Sequence, residues 1–150
     1  MKNITGIIAL LSVLLTSTAA FAGDDIYVEY VRNYDGDTVT VDLVDLRDID
    51  LDGTYKTLWD NISIRVRGID TPEIRTRCKS EKVLGYQAKY IVQDLLKDAK
   101  EVTIKNISRG KYFRLVADIF ADGVSIKDVL LEAELAVPYF GRKKTYNWCK

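Results

Sequence analysis

The sequence predicts an α+β domain, mainly β: a five-stranded barrel with two or three helices packed on it. Three observations carry this expectation. Five stretches between Ile26 and Ala121 show the period-two alternation, or the β-branched content, of half-buried strands. One segment, residues 80–99, changes to the three-and-four spacing of an amphipathic helix. The chain has 150 residues, enough for one core and too few for two comfortable ones.

The elements follow in order. Ile26 to Tyr34 alternates apolar residues with others and ends at Asp35-Gly36, a turn signal. Thr38 to Leu46 resumes the alternation at Val39, Val41 and Leu43. Residues 47–61 are acidic and turn-rich and read as an extended hairpin or loop. The spaced aspartates there suggest an EF-hand, but the sixth-position glycine and twelfth-position glutamate are missing. Ile62 to Ile69 is a third strand. Ser80 to Ala99 is the clearest helix, with Val83, Leu84, Ala88, Ile91, Val92, Leu95 and Leu96 on one face. Glu101 to Ile107 and Phe113 to Ala121 are strands, the second stopped by Asp122-Gly123. Ser125, with Asp128 three residues on, caps a second helix whose apolar face is Ile126, Val129, Leu130 and Ala133. From Pro138 the tail is aromatic and basic. Strand, strand, strand, helix, strand, strand, helix fits an OB-type barrel with a helix at its mouth, an architecture that often binds nucleic acid.

The N-terminus reads as a targeting segment. Lys2 is followed by a short apolar run, Ile7 to Leu15, and by Ala20-Phe21-Ala22, a small-residue cleavage site. The expected division is residues 1–22 as signal peptide and 23–150 as the mature domain, exported to a periplasm or secreted. The run is too short for a comfortable membrane span, so no membrane association is expected of the mature form. Two cysteines in an exported chain suggest one disulfide, and Cys78 and Cys149 are the only intramolecular pair. Closing so long a loop stabilises by about 4 kcal/mol in the chain-entropy model, a role in stability more than in chemistry. The formal net charge is zero, which argues against coating nucleic acid through bulk positive charge. There is no histidine, which removes His-based triads and His-ligated zinc.

Two stretches concentrate the chemistry: Asp35-Gly36-Asp37-Thr38, and Arg65 through Glu73 with the sequence RVRGIDTPE. Asp37 and Asp70 are oxygen donors of the kind hard cations take. Glu73 is a proton acceptor in a histidine-free site, and Pro72 stiffens the link between it and Asp70. Arg65 offers a planar fork for phosphate oxygens. Two residues along one strand share a face, so Arg67 competes with Arg65 for that role on residue grounds alone.

These motifs, in this order, resemble the staphylococcal nuclease (thermonuclease) family. The resemblance rests on DGDT at 35–38, Arg65 five residues before Asp70, Thr71-Pro72-Glu73, and Arg114 eight residues before Asp122-Gly123, and runs from about Val31 to Tyr139. It implies an OB-fold and a Ca²⁺-dependent phosphodiesterase acting on DNA and RNA, leaving 3′-phosphate ends. By motif, Asp37, Asp70 and the Thr71 carbonyl are the metal ligands, Glu73 the general base, and Arg65 and Arg114 the grip on the scissile phosphate. Lys111 and Tyr112 match residues that touch a neighbouring terminal phosphate, and Tyr139 is the candidate for a tyrosine beside the nucleotide. The enzyme is expected to be a monomer. The stretch between Asp37 and Asp70 is longer than in the staphylococcal enzyme, which also lacks the cysteine pair. The competing reading from another class is a non-catalytic OB-fold module binding single-stranded nucleic acid.

Overall fold

The computed structural model describes residues 25–49, 55–111 and 114–150. The expected signal peptide, the tip of the acidic stretch at 50–54, and Tyr112 lie outside the described residues.

The strands are β1 (Ile26–Asn33), β2 (Thr38–Ile49), β3 (Tyr55–Val66), β4 (Ile69–Asp70), β5 (Val102–Arg109), β6 (Leu115–Ala121), β7 (Val124–Ser125) and β8 (Val137–Pro138). The helices are α1 (Lys79–Asp98) and α2 (Ile126–Glu132). The large sheet runs β3-β2-β1-β5-β6-β7, and β3 also pairs with β6. That last pairing is parallel, from Ile64 opposite Leu115 to Val66 opposite Ala117, and it closes five strands into a barrel. The β3–β6 crossover runs through α1, as a parallel connection requires. The fold is the expected five-stranded OB barrel with two helices described.

Alternation puts Val39, Val41, Ile64, Val66, Ile104, Ala117 and Ile119 inside the barrel, all essentially fully buried. On α1 the buried line is Gly85, Ala88, Val92 and Leu96, with Leu84, Ile91 and Leu95 at its margins. Val83 departs from the expected face: it is exposed. The buried line begins instead at Gly85, where a side chain would not fit. Ser125 caps α2 as expected, its Oγ accepting from the Asp128 amide at 3.3 Å, and Ile126 and Leu130 are buried.

Two boundaries differ from the sequence reading. The third strand starts at Tyr55 rather than Ile62, and the second runs to Ile49, so much of the acidic stretch is a long hairpin arm. Its base is in water, with Leu58 and Trp59 exposed, so alternation has no core to report there. The stretch to Ile69 is not one strand either. The chain turns at Arg67-Gly68, where Gly68 has φ +78°, and resumes as β4 against β8.

Candidate active site

The Asp35–Asp37 turn joins β1 to β2 and is closed by the Tyr34 amide donating to the Thr38 carbonyl at 2.9 Å. Asn33, buried at the end of β1, anchors it: Nδ2 donates to the carbonyls of Asp35 and Lys89, both at 2.9 Å. Gly36 is required by proximity. A Cβ there would stand 2.8 Å from the Ala88 Cβ and 2.9 Å from a Thr71 methyl. Gly85 plays the same part on α1, where a Cβ would meet the Pro72 carbonyl oxygen at 2.9 Å and the Glu73 carbonyl carbon at 3.1 Å. Two missing side chains thus let the turn, α1 and the Thr71–Glu73 segment press together. On the other side the Val66 amide donates to the Asp37 carbonyl at 2.8 Å, tying the turn to β3.

This packing brings Asp37, Asp70 and Arg65 to one point. The Asp37 and Asp70 side chains are almost fully buried, and Arg65 lies between them. Its Nη1 donates to Asp37 Oδ1 at 2.7 Å; its Nη2 reaches the Ile69 carbonyl at 3.1 Å and Asp70 Oδ1 at 3.4 Å. The Thr71 amide donates to Asp37 Oδ2 at 3.3 Å, and Thr38 Oγ1 to Asp37 Oδ1 at 3.1 Å. Burial pushes the Asp37 carboxyl up to about 7; Arg65 opposes the rise, and Asp35 and Asp70 add to it. Burial also raises Asp35, against hydrogen bonds from the Asp37 amide and Thr38. The pocket therefore carries more buried negative charge than Arg65 alone balances.

Arg65, Glu73, Arg114 and Tyr139 line one open cavity of about 340 Å³ together with Tyr34, Asp35, Thr38 and Lys144. The Arg65 guanidinium stands 5.7 Å from the centre of the Tyr139 ring. Tyr139 is held by its amide, which donates to the Gly68 carbonyl at 2.8 Å, and by its hydroxyl, which donates to the Arg142 carbonyl at 2.6 Å. Lys111 is not part of this cavity. It lines an adjoining groove with Arg109, Arg114, Tyr139 and Phe140. A larger cleft, about 620 Å³, lies at the far end of α1 around Leu96 and Lys100, away from all of these residues.

Arg67, the rival of Arg65, is engaged elsewhere. Having left the strand, it bonds the Asn106 carbonyl, Ser108 Oγ at 3.1 Å and the Val116 carbonyl at 3.4 Å, and pairs with Asp118 at 3.7 Å. Both arginines do line the outer groove, as the shared face predicts, but their guanidiniums turn to different partners: Arg65 to Asp37 and the Ile69 carbonyl, Arg67 to acceptors on β5 and β6.

The residue missed by sequence reasoning is Lys144. Its Nζ lies 2.7 Å from Asp70 Oδ1 and 2.6 Å from Glu73 Oε1. Burial works against its charge, but the hydrogen bonds and the field of Asp70 and Glu73 outweigh it and raise its pKa above the ordinary lysine value. It arrives on the C-terminal tail, which the Cys78–Cys149 disulfide holds with the two Cα atoms 5.9 Å apart. The tail is docked further by Trp148, buried and edge-on to Tyr146 at 4.5 Å between ring centres. The spacing of the cysteines, five residues after Glu73 and five after Lys144, brings the tail to this region but does not single out Lys144 from Lys143.

Asp37 and Asp70 offer buried carboxylate oxygens, the donor chemistry a hard divalent ion takes. Among the described residues no three acidic, histidine or cysteine side chains form such a group by themselves, so backbone and external oxygens would have to complete a shell.

The fold and site define an OB-type barrel with buried acids beside an open polar cavity that two arginines line. The family model described as staphylococcal nuclease homologue matches residues 63–148, more than half of the chain, and the chain belongs to that family. No curated protein gives a significant match. The matched segment excludes Asp37, which the fold joins to it through Arg65. No described helix is long and apolar enough to cross a membrane.

Proposed function

We propose that this chain is an exported Ca²⁺-dependent nuclease that hydrolyses phosphodiester bonds of DNA and RNA, leaving 3′-phosphate ends. The observation that carries the proposal is Arg65, which pairs with the buried Asp37 and Asp70 on one side and lines a cavity with Glu73 and Arg114 on the other. Asp37, Asp70 and the Thr71 carbonyl would hold the ion. Bound there, Ca²⁺ would supply Lewis-acid polarisation of the phosphate. Arg65 and Arg114 grip the non-bridging oxygens, which gain charge in the transition state and are met by planar forks. Glu73, half exposed at the cavity edge, takes the proton of the attacking water. The 5′ oxygen leaves, and the phosphate stays on the 3′ end. Tyr139 flanks the nucleotide; Lys111 and Tyr112 serve the next phosphate. Residues 1–22 act as a cleaved signal peptide, and residues 23–150 work as a monomer in the periplasm or outside the cell.

The non-catalytic binding module is the weaker reading, because such a module has no need for Glu73 beside buried acids. One gel separates the two. Plasmid DNA and RNA are incubated with Ca²⁺, with chelator, and with the Glu73→Gln variant. The expected result is cleavage only by the parent with Ca²⁺. Intact nucleic acid that is bound in every lane would favour the binding module, and equal cleavage in chelator would overturn the metal assignment.

A further inference from the structure

The tail that the disulfide pins beside α1 also reaches the site. Cys78 and Cys149 are 71 residues apart in sequence, and their bond sets two short arms side by side. One arm runs back five residues to Glu73, the other five residues to Lys144. The arms meet again at the site, where a single ammonium bridges Asp70 at 2.7 Å and Glu73 at 2.6 Å.

The two carboxylates are differently held. Asp70 is 5% exposed and is also reached by Arg65. Glu73 is 46% exposed, and among the described residues its carboxylate bonds Lys144 alone. A free glutamate at the lip of a cavity samples several rotamers, and a base must hold one to act. The Glu73 backbone is fixed by Gly85 behind it and by Glu81, whose Oε1 accepts from the Glu73 amide at 3.2 Å. What remains free is the side chain, and Lys144 ties it to the buried, immobile Asp70.

We infer that Lys144 is a positioning residue for the reaction, delivered by the disulfide-held tail to orient Glu73 against Asp70. The inference rests on the nuclease reading above, with Glu73 as base. It predicts two effects of opposite sign. Loss of the ammonium frees Glu73, which lowers turnover. Loss of a positive charge beside Asp70 also removes repulsion toward a divalent ion, which tightens its binding.

The experiment compares the parent with Lys144→Met, Lys144→Arg, Glu73→Gln and the Glu73→Gln/Lys144→Met double variant. Lys143→Met, the exposed neighbour, is the control. Steady-state cleavage is measured with Ca²⁺, and Ca²⁺ affinity is measured separately by titration calorimetry without substrate. In Lys144→Met, kcat should fall about tenfold or more with KM held within about twofold. Ca²⁺ should bind about threefold more tightly. Lys144→Arg should recover most of the lost rate, and Lys143→Met should match the parent. In the Glu73→Gln background, Lys144→Met should cause no further loss, because the two act as one unit.

A raised KM with unchanged kcat would make Lys144 a phosphate grip and overturn the inference. Weaker Ca²⁺ binding with a lower melting temperature would make it merely structural and overturn it equally. An inactive Glu73→Gln beside an unimpaired Lys144→Met would sink the inference alone. A fully active Glu73→Gln would sink the nuclease mechanism on which it rests.

Discussion

Gly85→Ala separates the packing that builds the site from the packing that merely stabilises the fold. Gly85 lies inside α1 on its buried line. In an ordinary helix interior this change stabilises by about 1 kcal/mol, since glycine loses more backbone freedom on folding. Here the new methyl would stand 2.9 Å from the Pro72 carbonyl oxygen, 3.1 Å from the Glu73 carbonyl carbon and 3.1 Å from an Ile74 methyl. Two of those three atoms are backbone and cannot rotate away. Overpacking of this kind costs about 1–3 kcal/mol, so the net loss is about 0–2 kcal/mol. For a domain of this size that lowers Tm by up to about 8 °C. The larger effect is on rate. The segment that must give way carries Thr71 and Glu73, and a displacement near 1 Å at a reacting group costs about 10²-fold, so a shift of a few tenths should still cost about tenfold. Thermal unfolding by circular dichroism and kcat on plasmid DNA, both with Ca²⁺, make the comparison. A Tm above that of the parent with kcat within about twofold of it would refute the reasoning, because it would show that α1 and the Pro72 backbone are not in forced contact.

Three further outcomes are expected. Mg²⁺ should support cleavage poorly compared with Ca²⁺, because it demands a tighter octahedron than two carboxylates and a carbonyl provide; a plasmid assay across both ions, with chelator as the blank, checks it. Arg65→Lys and Arg114→Lys should each lose most of kcat although charge is kept, because lysine lacks the fork that Arg65 turns toward both Asp37 and the Ile69 carbonyl; Arg67→Lys should act on stability instead, and the reverse pattern in kcat and Tm would refute the register of β3. Replacing Cys78 and Cys149 together by serine should remove about 4 kcal/mol of stability, read from denaturant unfolding. At low temperature the folded double variant should also lose turnover, like Lys144→Met, because the tail that carries Lys144 is released; full turnover would show that the tail stays docked without the bond.

Local physics left a readable trace in the sequence wherever a segment's neighbours decide its conformation. The α1 periodicity, the Ser125 cap, the turn at Asp35-Gly36 and the alternation of β1, β2 and β6 are of this kind. So is the cysteine pair, since two cysteines allow one bridge. The order of the motifs was enough to point to the family and to the residues Asp37, Arg65, Asp70, Glu73 and Arg114. Where a segment meets no core, as in the β2–β3 arm, the alternation faded and the strands were read too short.

Tertiary structure alone decided what depends on the distance between remote segments. The parallel closure of β3 on β6 leaves no mark in either strand. Gly36 and Gly85 look like a turn residue and a weak helix residue; only the approach of α1 to Thr71 and Pro72 shows that a side chain would not fit. The choice between Arg65 and Arg67 was open on residue grounds, because remote partners, Asp37 for one and acceptors on β5 and β6 for the other, settle where each guanidinium goes. Lys144 is the furthest case. It stands 71 residues from Glu73 in a run of similar basic residues, and nothing local distinguishes it from Lys143. A charge acquires its role from the charges it meets, and those are fixed only when the barrel closes and the disulfide brings the tail home.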